Sequence, residues 1–204
     1  MIQYNKFTLI FEGAEPQGSW AEIDLIAEFT CKGKIKKVSG FYAGNGHYEV
    51  RYLPQETGMV AWKVTGLFSA EGKEECVPCT DGIHHGIVKP NGTAMQYEDG
   101  MICRTFGTTV YAMMHQPKDV IAQTIDTMLH SPFNKIRTCV FPKHYVFNEN
   151  EPEYFAFERN ENGGFDFQRP CMKFWDAMDE MLRIFDGHGI QVDLILFHPY
   201  DCWG

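Results

Sequence analysis

Apolar residues recur along this chain with two different periods, and the change from one to the other divides it. Between residues 21 and 30, Ile23, Leu25, Ala27 and Phe29 occupy every second position, the spacing of a strand with one buried face. Residues 6–11, 35–42, 47–53 and 59–65 read the same way. Ala43-Gly44-Asn45-Gly46 separates the third strand from the fourth, and its glycines and asparagine supply the positive φ that a tight turn demands. Five short strands with turn signals between them predict an immunoglobulin-like β-sandwich over residues 1–70. Residues 71–92 are polar, charged and glycine-bearing, the composition of a linker.

Over residues 93–204 the pattern becomes strand, helix, strand, helix, strand. After a hairpin, 93–97 with 101–104 around Glu98-Asp99-Gly100, residues 106–111 read as a buried strand. Val120, Ile121, Ile125, Met128 and Leu129 then form an apolar stripe at helical spacing between Pro117 and Pro132. Residues 135–141 make a second strand and a long aromatic loop follows. A second helix from about residue 170 to 187 has Met172, Trp175, Met178, Met181, Leu182 and Phe185 on its apolar face. The third strand, 192–197, is almost wholly apolar, as a strand covered on both faces should be. Two architectures share this βαβαβ beginning. A dinucleotide-binding sheet needs a glycine-rich loop after its first strand, and Tyr111-Ala112-Met113-Met114-His115-Gln116 is bulky and glycine-free. The expected fold class is therefore all-β plus α/β, an immunoglobulin-like sandwich followed by the first β/α units of an incomplete (β/α)₈ TIM barrel.

Composition narrows the partners. The apolar and charged fractions, 44% and 22%, are those of an ordinary globular protein. A formal charge of −9 without a basic stripe argues against a nucleic-acid partner, and a neutral ligand such as a sugar fits better. No signal-like leader and no apolar run of membrane-spanning length is visible. Seven cysteines at scattered spacings do not read as a disulfide framework, so a cytoplasmic location is expected. Cys76-Val77-Pro78-Cys79 has the spacing of a redox or half-zinc motif, but no second pair follows it and no βαβ pattern surrounds it. His84-His85 reads as linker surface. No cofactor and no metal are expected. Trp20, Phe41, Tyr42 and Tyr48 could offer stacking faces, but core packing is the reading preferred for them.

In a β/α barrel the chemistry gathers where strands run into the loops that follow them. Those places carry Tyr111 and His115 after the first strand. Arg137 stands near the second, with Lys143, His144 and Tyr145 beyond it, and His198, Tyr200, Asp201 and Trp203 follow the third. Convergence of polar and aromatic residues at three strand ends points to a substrate-binding role for all ten.

The strings Phe106-Gly107-Thr108-Thr109-Val110-Tyr111, Pro132-Phe133-Asn134-Lys135-Ile136-Arg137, Cys139-Val140-Phe141-Pro142-Lys143-His144-Tyr145 and Leu194-Ile195-Leu196-Phe197-His198-Pro199-Tyr200-Asp201 resemble the apiosidase-like glycoside hydrolases. Gly40-Phe41-Tyr42 and Tyr48-Glu49-Val50-Arg51-Tyr52 match the leading β-module of that family in order and position. The resemblance implies a β-sandwich before a cellulase-clan barrel, and hydrolysis of O-glycosidic bonds in a glycan. It implies that Arg137 and His198 position the catalytic nucleophile and bind sugar hydroxyls. Trp203 and Tyr145 would stack on sugar rings, while Asp201 and Lys143 hydrogen-bond their edges. Retaining enzymes of the clan place an acid/base carboxylate after the fourth strand and a nucleophile after the seventh. A whole barrel takes about 250 residues, so both carboxylates are expected beyond residue 204 and no catalytic residue is assigned within the chain.

Two other classes compete. A noncatalytic carbohydrate-binding or interaction module would use the same polar rim, and open barrel edges would favour self-association. A metal-dependent hydrolase barrel would draw on His115, His144 and His198, but such barrels begin with two alternating histidines on the first strand and only His115 is available there.

Overall fold

The computed structural model describes all residues of the chain except 142–145, 147 and 198–204. It divides into two compact units, Met1–Cys103 with Phe167–Arg169, and Arg104–Asp166 with Pro170–Gly204.

In the first unit seven strands build two antiparallel sheets: β1 (Phe7–Glu12), β2 (Leu25–Cys31), β3 (Lys34–Ser39), β4 (Phe41–Gly44), β5 (His47–Tyr52), β6 (Gly58–Gly66) and β7 (Ala70–Cys76). One sheet is ordered β1-β5-β4 and the other β3-β2-β6-β7. The alternation along β2 buries Leu25, Ala27, Phe29 and Cys31, and Tyr48, Val50 and Tyr52 of β5 join the same core with Val60 and Val64 of β6. At its centre the rings of Phe29 and Tyr52 stack 3.9 Å apart at 5°. Each large apolar side chain buried in this way contributes about 1.5–3 kcal/mol. Tyr42 and Tyr48 are core residues, Trp20 packs partly buried against them, and Phe41 lies beneath the Arg51 guanidinium at 5.0 Å. The tight turn after β4 carries Asn45 and Gly46 at φ 53° and 77°.

Two expectations need correction. The single strand over residues 35–42 is two strands in different sheets, broken at Gly40. There the backbone passes so close to Leu25 that a Cβ would stand 2.5 Å from Leu25 Cδ2, and the Gly40 N–H donates to the Leu25 carbonyl at 2.7 Å. The linker over 71–92 is not a linker along its first part, because β7 completes the second sheet by pairing along β6 from Gly58↔Cys76 to Val64↔Ala70. Trp62 lies directly opposite Gly72 in that register, and its ring fills the place a side chain would take there. A short hairpin, β8 (Lys89–Asn91) with β9 (Ala94–Gln96), follows. The hairpin read around 98–100 reduces to one bridge, Gln96↔Ile102, with Tyr97 N–H donating to the Met101 carbonyl at 2.8 Å.

The second unit holds a parallel sheet with helices between its strands. Its elements run β10 (Gly107–Thr109), α1 (Lys118–Leu129), β11 (Lys135–Cys139), β12 (Phe157–Arg159), β13 (Phe165–Pro170, whose residues 167–169 group with the first unit), α2 (Met172–Asp186) and β14 (Gln191–Ile195). β10, β11 and β14 pair in parallel in that order. The other two strands form an antiparallel hairpin in the stretch read as an aromatic loop, where Arg159 lies over the rings of Phe155 and Phe165 at 4.4 and 4.3 Å. Pro117 precedes α1, where its missing N–H costs nothing. Phe174, Met178, Met181 and Phe185 of α2 are buried and share a core with Ile136 of β11, against which Val192 of β14 also packs. The Trp175 indole N–H donates to the Ala156 carbonyl at 2.9 Å. Among the described residues no helix is long and apolar enough to cross a membrane.

Candidate functional site

Strand alternation fixes which face of the parallel sheet is available for chemistry. Ile136 and Val192 are register partners and both belong to the core under the helices. Their neighbours Lys135, Arg137, Gln191 and Asp193 therefore occupy the opposite face. On that face Arg137 stands directly across from Asp193. Asp193 accepts from Lys135 Nζ at 3.0 Å and from Arg137 Nη2 at 3.3 Å. Burial raises the Asp193 carboxyl, but the hydrogen bonds and charges of Lys135 and then Arg137 outweigh it and hold the group below the usual carboxylate range.

A depressed folded-state value fixes the sign of a pH effect. The Asp193 contribution is fully present above the unfolded value, about 4, and is lost as pH falls through the folded one. Asp193→Asn should remove that acid limb from a series of urea midpoints taken from neutral pH downward. At neutral pH the change should stay under about 1 kcal/mol, because all three side chains are substantially solvated. An acid limb unchanged in the variant would show that the cluster carries no such linkage.

Backbone bonds extend the sheet past the last paired residues. Val110 N–H donates to the Arg137 carbonyl at 2.8 Å, Cys139 N–H to the Tyr111 carbonyl at 3.1 Å, and Val140 N–H to the Ile195 carbonyl at 3.0 Å. Tyr111 thus sits beside Cys139, one pleat beyond the Thr109↔Arg137 pair. His115 closes a 3-10 turn, Met113–His115, and is fully buried. Of the ten residues read as substrate-binding, the fold brings Tyr111 and Arg137 to neighbouring positions at one end of the sheet and encloses His115 just beyond β10. The other seven, Lys143, His144, Tyr145, His198, Tyr200, Asp201 and Trp203, lie outside the described residues.

Four groups at the same strand ends escaped the sequence reading. Asp193 was absorbed into an apolar strand, although a charge inside such a run is itself a signal. Phe197 is 82% exposed just past β14, with its ring stacked on Phe141 at 5.5 Å and 18°, which offers a flat apolar face at the rim. Gln116 donates through Nε2 to Asn148 Oδ1 at 2.6 Å and accepts from Asn150 Nδ2 at 2.7 Å, tying the loop after β11 to the turn after β10. Thr138, on the Ile136 face of β11 and so outside the Lys135, Arg137 and Asp193 cluster, is fully buried with its hydroxyl unbonded among the described residues. Cations, a carboxylate and a flat ring are what neutral polyol recognition needs: donors and acceptors for hydroxyls and a surface for C–H faces.

Comparison with known proteins bears on both units. Residues 1–66 match the family described as Domain of unknown function (DUF5060). No curated protein matches the chain. Among solved structures the chain is similar to a Bacteroides vulgatus protein described as a "putative glycoside hydrolase", at 30% identity and a TM-score of 0.89 over 98% of this chain and 42% of that one. This chain therefore spans well under half the length of that relative, and the two share one fold over the common part. Two further structures match weakly. One described as "Glycoside hydrolase" has 13% identity, a TM-score of 0.36 and coverage of 54% and 25%. A Bacteroides vulgatus glycoside hydrolase family 5 protein has 15%, 0.33, 53% and 23%. Neither of these two is close enough to carry an argument.

Proposed function

We propose that this chain is the N-terminal portion of a glycoside hydrolase of the apiosidase-like type, a β-sandwich leading into a (β/α)₈ barrel that hydrolyses O-glycosidic bonds in a glycan. The observation that carries the reading is the parallel order β10-β11-β14 with Lys135, Arg137 and Asp193 on the face away from the helices, in a chain superposing closely on a protein described as a "putative glycoside hydrolase". In a closed barrel that face lines the interior, and the ends of its strands form the rim where substrate binds. Arg137 is the positioning residue for a nucleophile carried by a later strand, and Tyr111 and Phe197 border the sugar. The mechanism is retaining, with both carboxylates beyond residue 204. A cytoplasmic location belongs to the same proposal, supported by seven cysteines whose scattered spacings do not read as a disulfide framework.

The test uses the polypeptide read in the same frame through and beyond Gly204, assayed on a panel of α- and β-aryl glycosides and plant oligosaccharides. Release of sugar with retained anomeric configuration is expected. A folded protein that turns over none of the panel overturns the reading.

One observation favours a binding module as a second reading. The first unit has an open cleft of about 880 Å³ bordered by Tyr4, Tyr52, Lys34, Gln55, Glu56 and Glu98, in which Gln55 Nε2 donates to Glu98 Oε1 at 2.6 Å. Sugar binding that survives in residues 1–103 alone, without hydrolysis by the longer polypeptide, would move the function there.

A further inference from the structure

The segment after β7 brings three side chains of different donor type together. One donor atom from each of Cys79, Asp81 and His84 lies within 4.8 Å of the others. The local chain explains how. Asp81 Oδ1 accepts the backbone N–H of Ile83 at 2.8 Å and of His84 at 3.0 Å, which curls the backbone so that His84 Nδ1 meets Asp81 Oδ2 at 2.7 Å.

A turn of this kind needs only the aspartate. Nothing in it requires a thiol two residues before or an imidazole three residues after, and those two residues complete the donor set. Cys76, the other half of the Cys-x-x-Cys spacing, is buried at the end of β7 with its thiol on the Val77 carbonyl. His85 turns to Asp99, with Nδ1 2.6 Å from Oδ2. The spacing visible in the sequence is therefore not the grouping the fold makes.

We propose that Cys79, Asp81 and His84 form a mononuclear site for Zn²⁺, with thiolate, carboxylate and imidazole as the protein ligands and water in a fourth position. Sulfur with nitrogen selects a borderline-soft cation over Mg²⁺ or Ca²⁺. Bonds of about 2.3 Å to sulfur and 2.0–2.2 Å to nitrogen and oxygen put tetrahedral ligands roughly 3.3–3.6 Å apart. Donor atoms within 4.8 Å of one another have to close by at most roughly 1.2–1.5 Å to reach that spacing. A cation here would fasten the turn that follows β7, and the inference stands apart from the glycosidase reading.

The full chain, stripped with a chelator and titrated with Co²⁺ under reducing conditions, should develop a thiolate-to-cobalt charge-transfer absorption in the near ultraviolet. The band should saturate at one equivalent and be displaced by Zn²⁺. Cys79→Ser should abolish it, whereas Cys103→Ser should leave it intact. Asp81→Asn keeps an acceptor for the two backbone N–H groups, and His84→Gln keeps a polar side chain in a solvent-facing turn, so both variants should fold. Each should weaken Co²⁺ binding on the order of a hundredfold, the upper end of the loss seen when even outer-shell partners are removed. Absence of the band in the wild-type chain, its persistence in Cys79→Ser, or unchanged affinity in His84→Gln overturns the site.

Discussion

Phe29→Ala should destabilise the first unit by about 3–5 kcal/mol, read as a lowered urea midpoint at unchanged slope. Phe29 is 1% exposed, lies flat on Tyr52 and meets Phe7 edge-on at 6.5 Å, so the substitution removes the ring contacts that join β2 of one sheet to β5 and β1 of the other. Neighbouring side chains can reclaim little of the space. Leu25, Ala27 and Val50 are already fully buried, and close-packed interiors relax only in part around a deleted ring. Ile35→Ala supplies the contrast: its side chain is 64% exposed and the change should stay within about 0.5 kcal/mol. Equal costs at the two positions would mean that the two sheets do not share the core described.

The second large effect concerns Arg137, in the glycosidase that the chain is proposed to begin. Arg137→Lys should lower kcat on the order of a hundredfold with little change in KM, the signature of lost alignment at the reacting centre. Lysine preserves the charge toward Asp193 but not the planar fork with which arginine can hold one carboxylate while orienting another. Because the Arg137 side chain is 53% exposed beside Asp193, the urea midpoint should move by less than about 1 kcal/mol. That separates positioning from stability. Unaltered kcat on an aryl glycoside would remove Arg137 from the proposed machinery.

Most of the strand and helix order was legible because each element announces its own period. The stripe from Val120 to Leu129 and the run from Met172 to Phe185 became α1 and α2, and the apolar run at residues 192–197 became the third parallel strand. What stayed hidden depends on contacts between elements. Val38 and Tyr42 keep the same parity across Gly40, so nothing local shows that the chain leaves one sheet for the other there. β7, Ala-Glu-Gly-Lys-Glu-Glu-Cys, looks like a linker because most of its side chains meet solvent and it is held chiefly by backbone pairing with β6. The charged cluster was hidden for the same reason. Lys135, Arg137 and Asp193 become one group only when the register of β11 against β14 is known. Likewise the Cys76 and Cys79 spacing suggested a pair that the fold separates, while Cys79, Asp81 and His84 carry no familiar motif.

The indole side chains fall on both sides of the division between the units. Trp20 and Trp62 belong to the β-module, and Trp175 is anchored in the second unit by its bond to Ala156. With Trp203 replaced by phenylalanine, emission from a Trp175→Phe protein reports the first unit alone, and emission from a Trp20→Phe, Trp62→Phe protein reports the second. Two fluorescence melts on otherwise identical chains then reveal whether the halves unfold together or one after the other.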